Sequence, residues 1–232
     1  MRLVRHPAAL PVLLLAAGAA TAQARGGDWV SYRDAYRAMV VFDKYGGAKS
    51  LIQDELQVVP AQKGASADDL QLTLASGPVQ LRLPLDATGR TLFPLHKAAY
   101  DENAALVLTR KGGQFRVRPR VSIVVRPDGV YAAGELRAAC EQALGYARHI
   151  DSSAQHLQCA AVRFVFPKKA AAADARVRKA DGVELALPVV EGVAFPGDLD
   201  AGFPTVTYRF DADERARVVT YDAPLAVVPL FE

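Results

Sequence analysis

Four side chains suited to metal or nucleophile chemistry fall within eleven residues: His149, Asp151, His156 and Cys159. A zinc-type site takes three or four such ligands in fixed geometry. A cysteine nucleophile takes a thiolate beside a basic imidazole. Both uses need Cys159 free. The chain has 2 cysteines, Cys140 and Cys159, and an even count in an oxidising compartment reads as a bridge. Bridged, they close a loop of about 20 residues, worth on the order of 3 kcal/mol by the loop-entropy argument. The stretch is then a polar loop tied down by a disulfide. The competing reading is a small hydrolase or metal-binding protein built on the His149–Cys159 loop.

A second constellation is a row of arginines. Arg116, Arg118 and Arg120 alternate with Val117, Pro119 and Val121, so they share the polar face of one strand. Arg82 is expected on the polar face of a neighbouring strand. Like charges side by side on a sheet repel. Acidic neighbours, solvent or an anionic ligand must relieve them, and the guanidinium fork suits carboxylates and phosphates. An anionic glycan, an anionic lipid or an acidic envelope protein is the partner class. A solvated edge strand lined with arginine to prevent edge-to-edge pairing is the plainer reading. Asp198, Asp200 and Gly202 resemble the start of a calcium loop, but Phe203-Pro204 stands where further ligands would begin, and a turn is the simpler assignment. Trp29, Tyr32, Tyr36, Phe42 and Tyr45 place five aromatics in 17 residues. Most serve to anchor a helix; Trp29 precedes that helix and is the candidate for a contact surface.

No G-x-G-x-x-G, Walker A, G-x-S-x-G, S-x-x-K or H-E-x-x-H motif occurs. This lowers the case for catalysis without closing it, because triads are assembled in space. No cofactor is implied. The chain has 232 residues, 51% of them hydrophobic and 23% charged, which excludes a disordered or coiled-coil protein. Two cysteines cannot build a disulfide-dense scaffold or a four-cysteine zinc site.

Residues 1–24 read as a secretory signal. Arg2 and Arg5 precede an apolar run from Ala8 to Ala20, and Ala20-Thr21-Ala22 and Ala22-Gln23-Ala24 both fit a cleavage site. The run is short for a membrane span, and no second one follows, so no transmembrane segment is expected after cleavage. The precursor carries a net +3. Removing Arg2 and Arg5 leaves 26 basic against 25 acidic residues, a net +1. Near neutrality gives no general case for nucleic-acid binding. Abundant Ala and Arg suggest a bacterium with a GC-rich genome, and hence a periplasmic or secreted protein.

These side chains must be positioned by the elements around them. Ser31 and Asp34 form a capping-box start for a helix over 32–45 that Gly46-Gly47 stops. Tyr32, Ala35, Tyr36, Met39, Val40 and Phe42 make its apolar stripe. After Pro60 the period changes to two. Leu70, Leu72 and Leu74, then Val79, Leu81, Leu83 and Leu85, mark strands. Asp86-Ala87-Thr88-Gly89 turns the chain into a strand over 90–95, and 104–109 is another. Lys111-Gly112-Gly113 leads to the long run from Phe115 to Val125, in which Pro119 demands an edge or a bulge. A second helix spans 133–148 with Cys140 on its apolar stripe, followed by a strand over 162–166. The predicted organisation is a main α+β domain over 25–167, a linker or exposed helix over 168–182, and a C-terminal β segment over 183–232 that is either separate or part of the main domain. The fold class is α+β, mainly antiparallel β in sandwich-like sheets with two amphipathic helices. The functional expectation is a periplasmic or secreted non-enzymatic binding or accessory protein of the bacterial cell envelope.

Overall fold

The computed structural model describes residues 29–62, 70–77, 79–109, 115–169, 173–211 and 213–232. The expected signal over 1–24 and the Lys111-Gly112-Gly113 turn lie outside them. β1 (Trp29–Ser31) leads into α1 (Tyr32–Lys44). The Ser31 hydroxyl accepts from the Asp34 amide, as the capping pattern requires. Tyr32, Ala35 and Met39 bury the apolar stripe against β2 (Ile52–Pro60), β3 (Leu72–Ser76), β4 (Val79–Leu83) and β6 (Ala105–Leu108). β1, β6, β3 and β4 form one antiparallel sheet in that order.

The main sheet runs β12-β13-β9-β15-β7-β2-β5 and is antiparallel at every junction. Its strands are β5 (Arg90–Thr91), β7 (Phe115–Ile123), β9 (Cys159–Val165), β12 (Val189–Gly192), β13 (Phe203–Arg209) and β15 (Ala226–Phe231), with β2. The third sheet orders β11 (Glu184–Ala186), β10 (Ala175–Arg178), β14 (Arg217–Thr220) and β8 (Val130–Ala132). α3 (Ala133–Ile150) lies over the main sheet and buries Leu136, Ala139, Ala143 and Tyr146 with Val162, Phe164 and Val227. Cys140, on the same helix, is fully buried and is bridged to Cys159 at the start of β9, with Cα atoms 6.0 Å apart. The α+β class with mainly antiparallel, sandwich-like sheets is therefore observed. Among the described residues, no helix is long and apolar enough to cross a membrane.

Several elements differ from the sequence expectation. A short third helix, α2 (Lys97–Asp101), follows His96. The strand expected over 90–95 is only Arg90–Thr91, and Pro94 and outward-facing Leu92 follow it. β5 pairs with β2, not with the strand before the turn. The stretch 168–182, expected as linker or exposed helix, contains β10, whose Ala175 and Val177 are buried. Within 183–232, β13 and β15 pair with β9, and β14 pairs with β8. Arg82 does not neighbour the arginine row, because β4 belongs to the first sheet and β7 to the main one.

Candidate functional site

The β2–β7 ladder pairs Ile52 with Ile123, Asp54 with Val121, Leu56 with Pro119 and Val58 with Val117 on one face. Glu55 with Arg120, and Gln57 with Arg118, occupy the other. A sheet of period two separates the two chemistries cleanly.

On the polar face the arginines are neutralised from within the protein. Arg118 bonds Asp198, and Arg120 reaches the same carboxylate oxygen at 3.0 Å. Both also donate to the Gln57 amide oxygen. Buried Arg90 pairs with Glu55 at 2.7 Å and Asp86 at 2.8 Å. Phe195 lies under both Arg90 and Arg120, whose guanidinium carbons are 5.2 Å and 4.8 Å from its ring centre. Burial pushes the Arg120 guanidinium down to about 10, and neighbouring Arg118 adds to that. Burial likewise raises Glu55, against the opposing charge of Arg90. The loop over 193–202 thus clamps this face, and Asp198, read from sequence as part of a turn, is the clamp's anion. Asp200 pairs with Lys168, so neither carboxylate of the calcium-like stretch is uncommitted. Arg116 and Arg82 are exposed, and neither has an ion pair among the described residues. Trp29 sits on β1 opposite Val107.

A concavity opens on the other face and reaches through to Arg120 and Phe195. Only one residue pair, Val227 with Ile123, joins β15 to β7. Past it the strands part, with Pro119 on one bank and Pro229 on the other. Proline has no N–H to give to a ladder, so the seam cannot close there. The resulting cleft has a volume of about 770 Å³, inside the range of small-molecule sites. α1 contributes Ala38 and Val41, and α3 contributes Ala143, Tyr146, Ala147, His149 and Ile150. Pro119, Arg120, Val121, Val228 and Pro229 line the cleft from the two strands, and Phe195 and Phe231 complete the wall. Val121 packs with the helix-side core and Val228 with the core under the 193–202 loop, so the cleft passes into the sheet rather than resting on it.

Beside this cleft lies a group the sequence reading did not single out. Both carboxylate oxygens of Asp54 are buried without a hydrogen-bond partner. Burial raises its pKa to about 7; the backbone amides of Arg120 and Glu55 soften the rise without making bonds of full geometry. The Tyr146 phenol is pushed up to about 12, by burial first and by the Asp54 charge second. The available signal was a carboxylate standing in phase with Ile52, Leu56 and Val58.

The His149–Cys159 loop places its residues apart in role. His149 is exposed on the last turn of α3, its ring 5.1 Å from that of Tyr45. The Asp151 carboxylate accepts from the Ser153 amide; the Ser153 side chain first and that amide second hold its pKa down. His156 is exposed, and Cys159 is in the disulfide. Among the described residues no group of three His, Cys, Asp or Glu side chains is placed to hold a metal ion. No family model, curated protein or solved structure matches the chain.

Proposed function

We propose that the protein is a non-enzymatic binding or accessory factor of the bacterial cell envelope, periplasmic or secreted, whose binding site is the cleft between α1, α3 and the split sheet. The observation that carries this reading is the cleft itself: about 770 Å³, walled mainly by Ala, Val, Ile, Pro and Phe side chains. Concave apolar sites of this size with a few polar groups are the usual form of small-molecule sites. The Cys140–Cys159 bridge fits an oxidising compartment. The hydrolase or metal-site reading loses its thiolate to that bridge. The anionic-partner reading keeps Arg116 and Arg82 as the uncommitted members of its set, on different sheets, because Arg118 and Arg120 are held by Asp198 and Gln57.

Nile red, an uncharged apolar fluorophore, tests the proposal. The mature protein should bind it saturably at one site with a blue-shifted emission. Ala147→Trp, which fills the cleft from α3, and Val41→Trp, which fills it from the exposed side of α1, should each reduce affinity about tenfold or more, on the order of 1.4 kcal/mol. Unsaturable binding, or binding indifferent to both substitutions, would overturn it.

A further inference from the structure

We infer that the cleft selects an apolar cation, an alkyl- or aryl-ammonium group, with Asp54 as the matching charge; this rests on the cleft being a binding site. Asp54 is a carboxylate sealed in the protein with neither oxygen hydrogen-bonded. Buried carboxylates are ordinarily paired, and no arginine or lysine lies within ion-pair distance of it among the described residues. Its cross-strand partner Val121 lines the cleft, and so does Tyr146. The carboxylate therefore lies behind the wall these two residues form. Its field reaches that wall, since it helps to hold the Tyr146 phenol protonated, and the same field attracts a cation that enters.

One further feature agrees in sign, whereas the C-terminal carbonyls of the two helices are already engaged: Lys49 Nζ bonds those of Phe42 and Asp43, and the Asp151 amide and the Gln155 side chain bond those of Ala147 and Arg148. Tyr146 and Phe231 line the cleft with aromatic rings that suit an ammonium, whereas the Phe195 ring is already taken by Arg90 and Arg120. Four positive groups stand nearby, and two of them, Lys49 and Arg148, are held on backbone carbonyls at the end of α1 and just past α3. Arg120 is turned to Asp198 and Phe195, and His149 stands at the exposed rim.

The test compares three probes of equal chain length, octylamine, 1-octanol and octanoate, by titration calorimetry of the mature protein at pH 8. Octylamine should bind about tenfold or more tighter than octanol, and octanoate more weakly than octanol. Asp54→Asn should bring octylamine to within about twofold of octanol, with octanol affinity unchanged as the control for folding. Equal binding of amine and alcohol, a preference for octanoate, or an amine preference that survives Asp54→Asn would each overturn the inference while leaving the cleft a binding site. Failure of all three probes to bind the folded protein would overturn the binding-site reading with it.

Discussion

Asp54 occupies a place where a carboxylate is costly when charged. Its pKa in the folded protein is about 7, against about 3.9 in an unfolded chain. Between those values the unfolded chain has lost its proton and the folded one has kept it. Stability therefore falls as pH rises from about 4 to about 7, and the penalty is fully present above that. At ~1.4 kcal/mol per unit its ceiling is about 4 kcal/mol. Asp54→Asn removes the titration but leaves a buried amide, whose own cost does not depend on pH. Denaturant unfolding at pH 4 and pH 8 should show the variant gaining a few kcal/mol on the wild type at the higher pH. An identical difference at both pH values would contradict this account of Asp54. A second residue-scale case is Gly89 in the turn from Asp86 to Arg90. Its φ is +78°, and an added Cβ would meet the Val58 carbonyl oxygen at 2.3 Å. Gly89→Ala should therefore destabilise the protein by more than about 1 kcal/mol, read from the same unfolding curves.

At the scale of elements, the seam between β7 and β15 is a consequence of composition. Pro119 and Pro229 withhold donors on its two banks, and only Val227 with Ile123 pairs. The double substitution Pro119→Val, Pro229→Val restores both donors. It should extend the β7–β15 ladder, seen as slowed amide exchange at residues 119–123 and 227–231, and should weaken Nile red binding. Fast exchange and unchanged affinity would show that the prolines do not hold the seam open. The disulfide acts on a different pair, fixing α3 to the first residue of β9. Cys140→Ser with Cys159→Ser should lower stability by about 3 kcal/mol, or roughly 6–12 °C in Tm for a chain of this size. The sequence revealed most of these elements and none of the seam. The requirement that Pro119 sit at an edge or bulge is met in an unexpected way: β7 is interior by strand order, but at Pro119 it pairs with Leu56 of β2 alone and has no partner on the β15 side. β2 was illegible for a related reason. Asp54 stands where the alternation of Ile52, Leu56 and Val58 calls for an apolar residue, and the groups that satisfy Gln53, Glu55 and Gln57 on the other face lie far along the chain. Gln57 bonds Asp198, 141 residues away.

At the scale of the whole molecule, the two cleft-forming helices and the sheet come from separated stretches. Ala38, Val121, Ala147 and Val228 meet only once the main sheet is assembled. Local periodicity shows which face of each element is apolar, and it placed Tyr32, Met39, Cys140 and Leu144 inside correctly. It cannot show where two apolar faces fail to close on each other, because that depends on strand order. The arginine row illustrates the converse. Its alternation was legible, but its neutralisation by Asp198 needed the 193–202 loop to fold back across β7. The same dependence makes the cleft the feature most worth direct observation. Amide chemical-shift mapping of the isotopically labelled protein during an octylamine titration is the most direct measurement. The account predicts saturable shifts concentrated at Val41, Arg120, Val121, Ala147 and Val228, on both banks of the seam and on both helices. Shifts confined instead to the exposed arginines at 82 and 116, or scattered without saturation, would contradict it.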